Sequence, residues 1–186
     1  MARVKGTAVK ASIAFLKDNT EADTFESLLD QLEPHKQEVL GRPILQSSWY
    51  DLTLLLDLMA AAEGRVSLPP GRTLAWEMGR SSADHGLKTI YRIFFKVADT
   101  GFIIRKASQL FSTYYDSGTM ELVSTDDRTA LLRLTDFEQP HVWFCDRIMG
   151  WMERTLELSG AKNPRVSHPK CLARGDASCD YSGRWQ

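Results

Sequence analysis

The sequence predicts an α+β domain in which a helical N-terminal two-thirds packs on a small antiparallel sheet near the C-terminus. Two observations carry this expectation. From Val9 to Tyr114, apolar residues recur at three- and four-residue steps, the period of amphipathic helices. Beyond Gly118 the period drops to two, at Met120, Leu122 and Ser124 and again over Ala130–Leu134; one more helix then precedes two further strand-like segments. The C-terminal order is therefore β-β-α-β-β, and residues 1–186 form one domain.

The elements follow in order. Thr7 is a natural cap for a first helix with Val9, Ile13 and Leu16 on one face. Thr20 and Asp23 resemble a capping box for a second, with Phe25, Leu28, Leu29 and Leu32 as its stripe and Pro34 as its stop. A short turn of helix spans His35 to Leu40, and Gly41-Arg42-Pro43 reads as a loop. Ser48 and Asp51 start a strongly apolar helix through Leu52, Leu55, Leu56 and Met59, which frays at Glu63-Gly64. Pro69-Pro70-Gly71 is the clearest break, yet it separates helices of like composition and reads as a loop within the domain. Thr73 to about Val97 is helical again, with Gly79 and Gly86 as weak points. Phe102 to Tyr115 reads as one further helix. After the hairpin, Pro140 suits the first turn of a helix on which Val142, Cys145, Met149, Met152 and Leu156 make one seam. Arg165 to Leu172 and Ser178 to Trp185 are the last two strands.

Composition excludes several classes. Apolar residues make up 43% of the chain and charged ones 25%, with 23 basic against 24 acidic residues and a net charge of −1. No basic surplus points to nucleic acid, and no polybasic or long apolar stretch points to a membrane. The first residues lack the apolar core of a signal peptide, and three cysteines do not suggest a disulfide framework, so a cytoplasmic protein is expected. There is no Gly-x-Ser-x-Gly elbow, no phosphate-binding glycine loop and no His-Glu-x-x-His, so an enzyme is not expected.

Chemistry concentrates between Cys145 and Cys179, a stretch that holds every cysteine of the chain. Each candidate has a plain reading by itself. Cys145 could be a small buried hydrophobe, Cys171 and Cys179 an incidental pair, and His168 a solvated strand residue. Together they suggest more. Cys171 and Cys179 lie eight apart, the spacing of a tight hairpin, and His168 lies three before Cys171 at a strand end bent by Pro169. Cys145 arrives from the inward seam of the preceding helix. Cys145, His168, Cys171 and Cys179 are the donor set of a closed tetrahedral site, and zinc is the expected cofactor.

The run His168-Pro-Lys-Cys171-Leu-Ala-Arg-Gly175-Asp176-Ala-Ser-Cys179-Asp-Tyr181, with Cys145, Gly150 and Trp185 around it, resembles the 4-vinyl-reductase domain. That domain also serves as the aromatic-effector sensor of phenol- and xylene-responsive transcription activators. The resemblance implies zinc held by a helix cysteine, an acidic residue and two cysteines flanking the Gly-Asp turn; His168 stands where the acidic ligand would be. With Val4-Lys5-Gly6, Ser48-Trp49-Tyr50 and Gly150-Trp151, the whole chain resembles a bacterial family of about this length, similar in fold to haem nitric-oxide sensors and to subunits of the TRAPP tethering particle. His85 has the chemistry of a haem ligand, but the Tyr-x-Ser-x-Arg signature of those sensors is missing, and haem is not expected.

The function implied is a non-enzymatic, zinc-containing sensor or signalling domain for a small apolar molecule. Trp76, Tyr91, Phe94, Phe95, Phe111 and Trp143 are candidates for the pocket wall, although at helical spacing they read first as core residues. The alternative is a TRAPP-like interaction scaffold with a filled core. The stripes Val9–Leu16 and Phe25–Leu32 suggest a homodimer, and output would pass through another signalling protein.

Overall fold

The computed structural model describes residues 1–90 and 100–186. A short strand, β1 (Arg3–Lys5), pairs antiparallel with β2 (Trp49–Asp51), which lies just before the fourth helix. Three residues are too few to show alternation, so this ribbon escapes a reading by period. β1 runs directly into α1 (Gly6–Asn19), with Lys5 at the N-cap. Thr7 sits inside the first turn instead, and its hydroxyl donates to the Gln46 carbonyl at 3.2 Å. Thr20 closes α1 by donating to the Leu16 carbonyl, and Glu21 caps α2 (Ala22–Leu29). Pro34 opens α3 (Pro34–Leu40), because its fixed φ and missing N–H suit a first turn as well as they end a preceding one.

α4 (Leu52–Ala62) is buried on most of its surface. α5 (Leu74–Ile90) begins after Thr73, whose hydroxyl accepts the Trp76 N–H. The segment expected as one helix from Phe102 is two, α6 (Thr100–Arg105) and α7 (Ala107–Tyr114). They part at Lys106, whose N–H is shared between the Phe102 and Ile103 carbonyls.

The C-terminal third is β3 (Thr119–Thr125), β4 (Thr129–Thr135), α8 (Val142–Leu158), β5 (Arg165–Lys170) and β6 (Cys179–Arg184). The fold is α+β, with the helices on a four-stranded antiparallel sheet of order β3-β4-β6-β5. The last strand thus lies inside the sheet. The β5–β6 register breaks between Ser167 and Lys170, at His168-Pro169, where proline has no N–H to give the ladder.

The core runs from Val4, Val9, Leu16 and Leu28 through α4 to Phe144 and Tyr181. Val9, Leu16, Phe25 and Leu28 are buried within the chain itself, so the stripes that suggested a homodimer are already covered. α8 also differs from its expected seam. Val142 is exposed and Met149 and Met152 are half-buried, whereas Phe144, Cys145, Ile148 and Leu156 are buried together with Arg147 and Glu153. α5 packs on one side of α8 and the sheet on another. Where α5 and α8 cross, a Cβ on Gly150 would fall 2.0 Å from the Trp76 carbonyl oxygen, and one on Gly79 would fall 2.1 Å from that of Arg147. The two helices meet backbone to backbone.

Candidate functional site

Two sites lie on either side of Tyr181. The first is the cysteine cluster. α8 supplies Cys145, the end of β5 supplies His168, and the turn into β6 supplies Cys171 and Cys179. One donor atom from each lies within 4.8 Å of the others. Cys145 Sγ stands 3.7 Å from both Cys171 Sγ and Cys179 Sγ, and all three thiols are free and buried. The turn is shaped by Asp176, whose carboxylate accepts the Cys171 N–H at 2.6 Å, and by Gly175 at φ +94°. His168 is half-buried and stacks flat on Tyr181, with ring centroids 4.6 Å apart.

Charge divides unevenly among these groups. The thiol of Cys145 donating to Cys179 draws the latter's pKa down to about 4, against its burial and with help from His168 and the Leu172 N–H. Cys145 is pushed up by that same hydrogen bond and by its own burial. Burial, then the neighbouring cysteine sulfurs, hold the Tyr181 phenol well above its usual range. The cluster therefore favours one thiolate, at Cys179, hydrogen-bonded by its neighbours.

The second site is a cavity between helices and sheet, enclosing about 830 Å³ of atom-free space with its mouth included. Ile103, Ile104 and Phe111 form one wall, Trp151 and Leu156 of α8 another, and Met120, Ala130 and Leu132 the sheet side. Among its polar residues, Ser82 and Tyr115 gather around Arg147. This guanidinium is 2% exposed and donates to Tyr115 Oη at 3.0 Å, Ser82 Oγ at 3.0 Å and Ser12 Oγ at 3.4 Å. Ser82, Tyr115 and Tyr181 all line the cavity.

Of the aromatic residues expected at a pocket wall, Phe111 lines the cavity. Trp76 lies elsewhere, between the guanidinium of Arg72 at 3.4 Å from its ring and that of Arg80 at 4.8 Å. Trp143 packs at the start of α8 beside His141. Tyr91, Phe94 and Phe95 lie outside the described residues. Sequence reasoning missed Arg147, Tyr115 and Tyr181. Arg147 carried a signal, since it stands between the apolar pairs Phe144-Cys145 and Ile148-Met149, where a cation on a single-seam helix is unexpected.

No protein-family model matches the chain, and neither does any curated protein. Solved structures do. An H-NOX protein from S. oneidensis in the Fe(II)NO state superposes with a TM-score of 0.75 at 14% identity, over 98% of this chain and 99% of that one. An unliganded Fe(II) H-NOX protein from K. algicida gives 0.71 at 11% identity, over 98% and 96%. A structure concerned with modulating haem redox potential through protein-induced porphyrin distortion gives 0.66 at 13%, over 97% and 99%. The fold is that of the H-NOX proteins.

These structures correct one expectation. The group named for these neighbours is haem iron, which points away from the zinc expected as cofactor. The convergence of the four side chains stands apart from the identity of any group they hold. Haem must in turn find an axial donor, by the usual choice an imidazole or a thiolate. The chain's four histidines are His35, His85, His141 and His168; neither they nor any cysteine line the cavity, and among the described residues its wall offers phenols and thioethers as ligands. The described residues do not fit histidine- or thiolate-ligated haem.

Proposed function

We propose that this chain is a non-enzymatic sensory domain that takes a small, largely apolar molecule into the cavity between α8 and the four-stranded sheet and passes the occupied state to a partner protein. The observation that carries this reading is the cavity itself, apolar on most of its wall, with a polar group of Arg147, Ser82 and Tyr115. The sensor fold supports it, since its solved members bind nitric oxide and carbon monoxide in the same architecture. A scaffold with a filled core would not need such a space. Within this class, the Cys145-to-Cys179 pattern supports kinship with the 4-vinyl-reductase type of domain. Among the described residues no helix is long and apolar enough to cross a membrane.

The cysteine cluster is a separate proposal. Four soft donors within one ligand sphere's reach favour a thiophilic metal ion that ties β5 and β6 to α8, with a structural role.

The cavity reading is tested by tryptophan fluorescence, since Trp151 and Trp185 both line the space. Titration with 1-octanol should give saturable quenching. Ala130→Phe, which builds a ring into the cavity from the sheet side, should abolish it while leaving the domain folded. Absence of saturable binding, or an Ala130→Phe protein that binds as well as the wild type, would overturn the reading.

A further inference from the structure

The cavity has one feature that an apolar ligand does not require. Arg147 is a permanent cation, almost fully buried, and among the described residues no Asp or Glu forms an ion pair with it. Its neighbours on α8 contrast with it. Glu153 is surrounded by Arg72, Arg80 and Arg165 at 3.6–3.9 Å, and Arg154 pairs with Asp84 and Glu157. Arg147 meets only hydroxyls. Three of the five N–H groups of a guanidinium are taken up by Tyr115, Ser82 and Ser12; Nε is buried with no acceptor. A buried, uncompensated charge with an unsatisfied donor is costly, and where such a group borders a cavity the missing acceptor belongs to whatever fills it.

The hydroxyls around it have the same polarity. Tyr115 Oη and Ser82 Oγ accept from Arg147, which leaves each hydroxyl's own proton to be donated. Both residues line the cavity, as Arg147 does. Ser12 differs, because its hydroxyl already donates to the Ala8 carbonyl at 2.9 Å and it lies outside the wall. Tyr181 borders the cavity too, but its buried Oη lies beside the Cys145 and Cys179 sulfurs. One end of the cavity thus presents a cation and hydroxyl donors. The rest presents Ile103, Ile104, Met120, Trp151 and Leu156.

Resting on the cavity reading above, we propose that the ligand is a small amphipathic carboxylate, its anionic head held by Arg147 with Ser82 and Tyr115 and its apolar body lying along α8 and the sheet. A neutral apolar molecule would leave Arg147 without a counter-charge, and a cation would add repulsion to it.

The test compares three probes of one shape on the wild-type protein at neutral pH: octanoate, 1-octanol and octylammonium. Tryptophan quenching and calorimetry should give octanoate an affinity at least about thirtyfold above that of octanol, the range expected for a desolvated, hydrogen-bonded charge pair, with octylammonium weakest. Arg147→Met should remove the preference for octanoate while keeping octanol binding. Tyr115→Phe, a milder change, should reduce the preference in part. Octanol binding as tightly as octanoate to the wild type would overturn the carboxylate proposal and leave the cavity reading standing. Failure of all three probes would overturn both. The wild-type comparison decides the matter even if Arg147→Met does not fold.

Discussion

Replacing Gly150 by alanine adds one methyl group to α8, and the structure fixes where it goes. The new Cβ would lie 2.0 Å from the carbonyl oxygen of Trp76, whereas ordinary contact begins near 3.4 Å, a deficit of 1.4 Å. The obstructing atom is backbone in the first turn of α5, so no side chain can turn away. Relief requires α5 and α8 to part by about an ångström along their crossing. Such a gap forfeits a quarter to a half of the dispersion energy of each contact it opens. Overpacking of this kind costs roughly 1–3 kcal/mol, and here the rigid obstacle puts it at the upper end. Alanine recovers about 1 kcal/mol through its better helix propensity. The net expectation is a loss of about 2 kcal/mol, or a fall in Tm of roughly 4–8 °C for a domain of this size. Urea unfolding followed by far-UV circular dichroism measures it. Gly41→Ala is the control, since Gly41 has ordinary backbone angles and its Cβ would meet the Gln37 carbonyl at 3.4 Å; it should stay within about 0.5 kcal/mol of wild type. A Gly150→Ala protein as stable as wild type would refute the backbone contact between the helices.

Further expectations concern the cluster, pH and haem. Cobalt(II) added to the purified protein under reducing conditions should give intense thiolate-to-metal absorption; Cys171→Ser should weaken it and lower Tm more than His168→Ala does, and a chelator should narrow the Tm gap between Cys171→Ser and wild type. A wild-type protein without the absorption band would remove the metal reading. On acidification below about pH 5, stability should fall. Asp116 titrates low because, despite its burial, it accepts from the Arg3 N–H and guanidinium; Glu157, despite burial, is held low by Arg80 and Arg154. Both carboxylates are depressed in the folded state, so their contribution is present above the unfolded pKa and lost as pH falls through the folded one. Thermal melts between pH 7 and 2.5 read this, and a Tm that rises on acidification would contradict it. Added haem should give no Soret spectrum of histidine- or thiolate-ligated iron, and such a spectrum would overturn the mismatch between donors and cavity.

Legibility in the sequence followed how much of each element meets a single neighbour. β4 alternates plainly because only one face of its end of the sheet is covered, β3 does so only as far as Leu122, where the ladder shifts before Ser124, and α2 shows Phe25 and Leu28 because it lies at the rim. Cys145, His168, Cys171 and Cys179 could be grouped because hairpin spacing and a bent strand are local facts. β1 and β2 could not, since pairing between Arg3–Lys5 and Trp49–Asp51 is settled by distant chain. Gly79 looks like a weak point in a helix when taken singly; only the crossing of α5 over α8 shows that it and Gly150 each make room for the backbone of the facing helix.

α8 shows the same limit at the functional site. A single apolar seam presumes one buried face, but successive turns of this helix serve different neighbours. Cys145 meets the turn before β6 and Arg147 the hydroxyls of α1, α5 and Tyr115. Gly150 meets α5, and Glu153 accepts the Val166 N–H at the start of β5. At 100° per residue these positions spread around the cylinder, so burial extends to residues that a 3.6-residue stripe assigns to solvent. A charged residue among apolar neighbours on such a helix is therefore poorly placed by periodicity and well placed by its partners. Glu153 has three cations near it, so its charge is compensated within the fold although its Oε1 has no hydrogen-bond partner. Arg147 has hydroxyls, an unpaired Nε and a cavity, and that difference in company separates a buried charge that holds the fold from one that awaits a ligand.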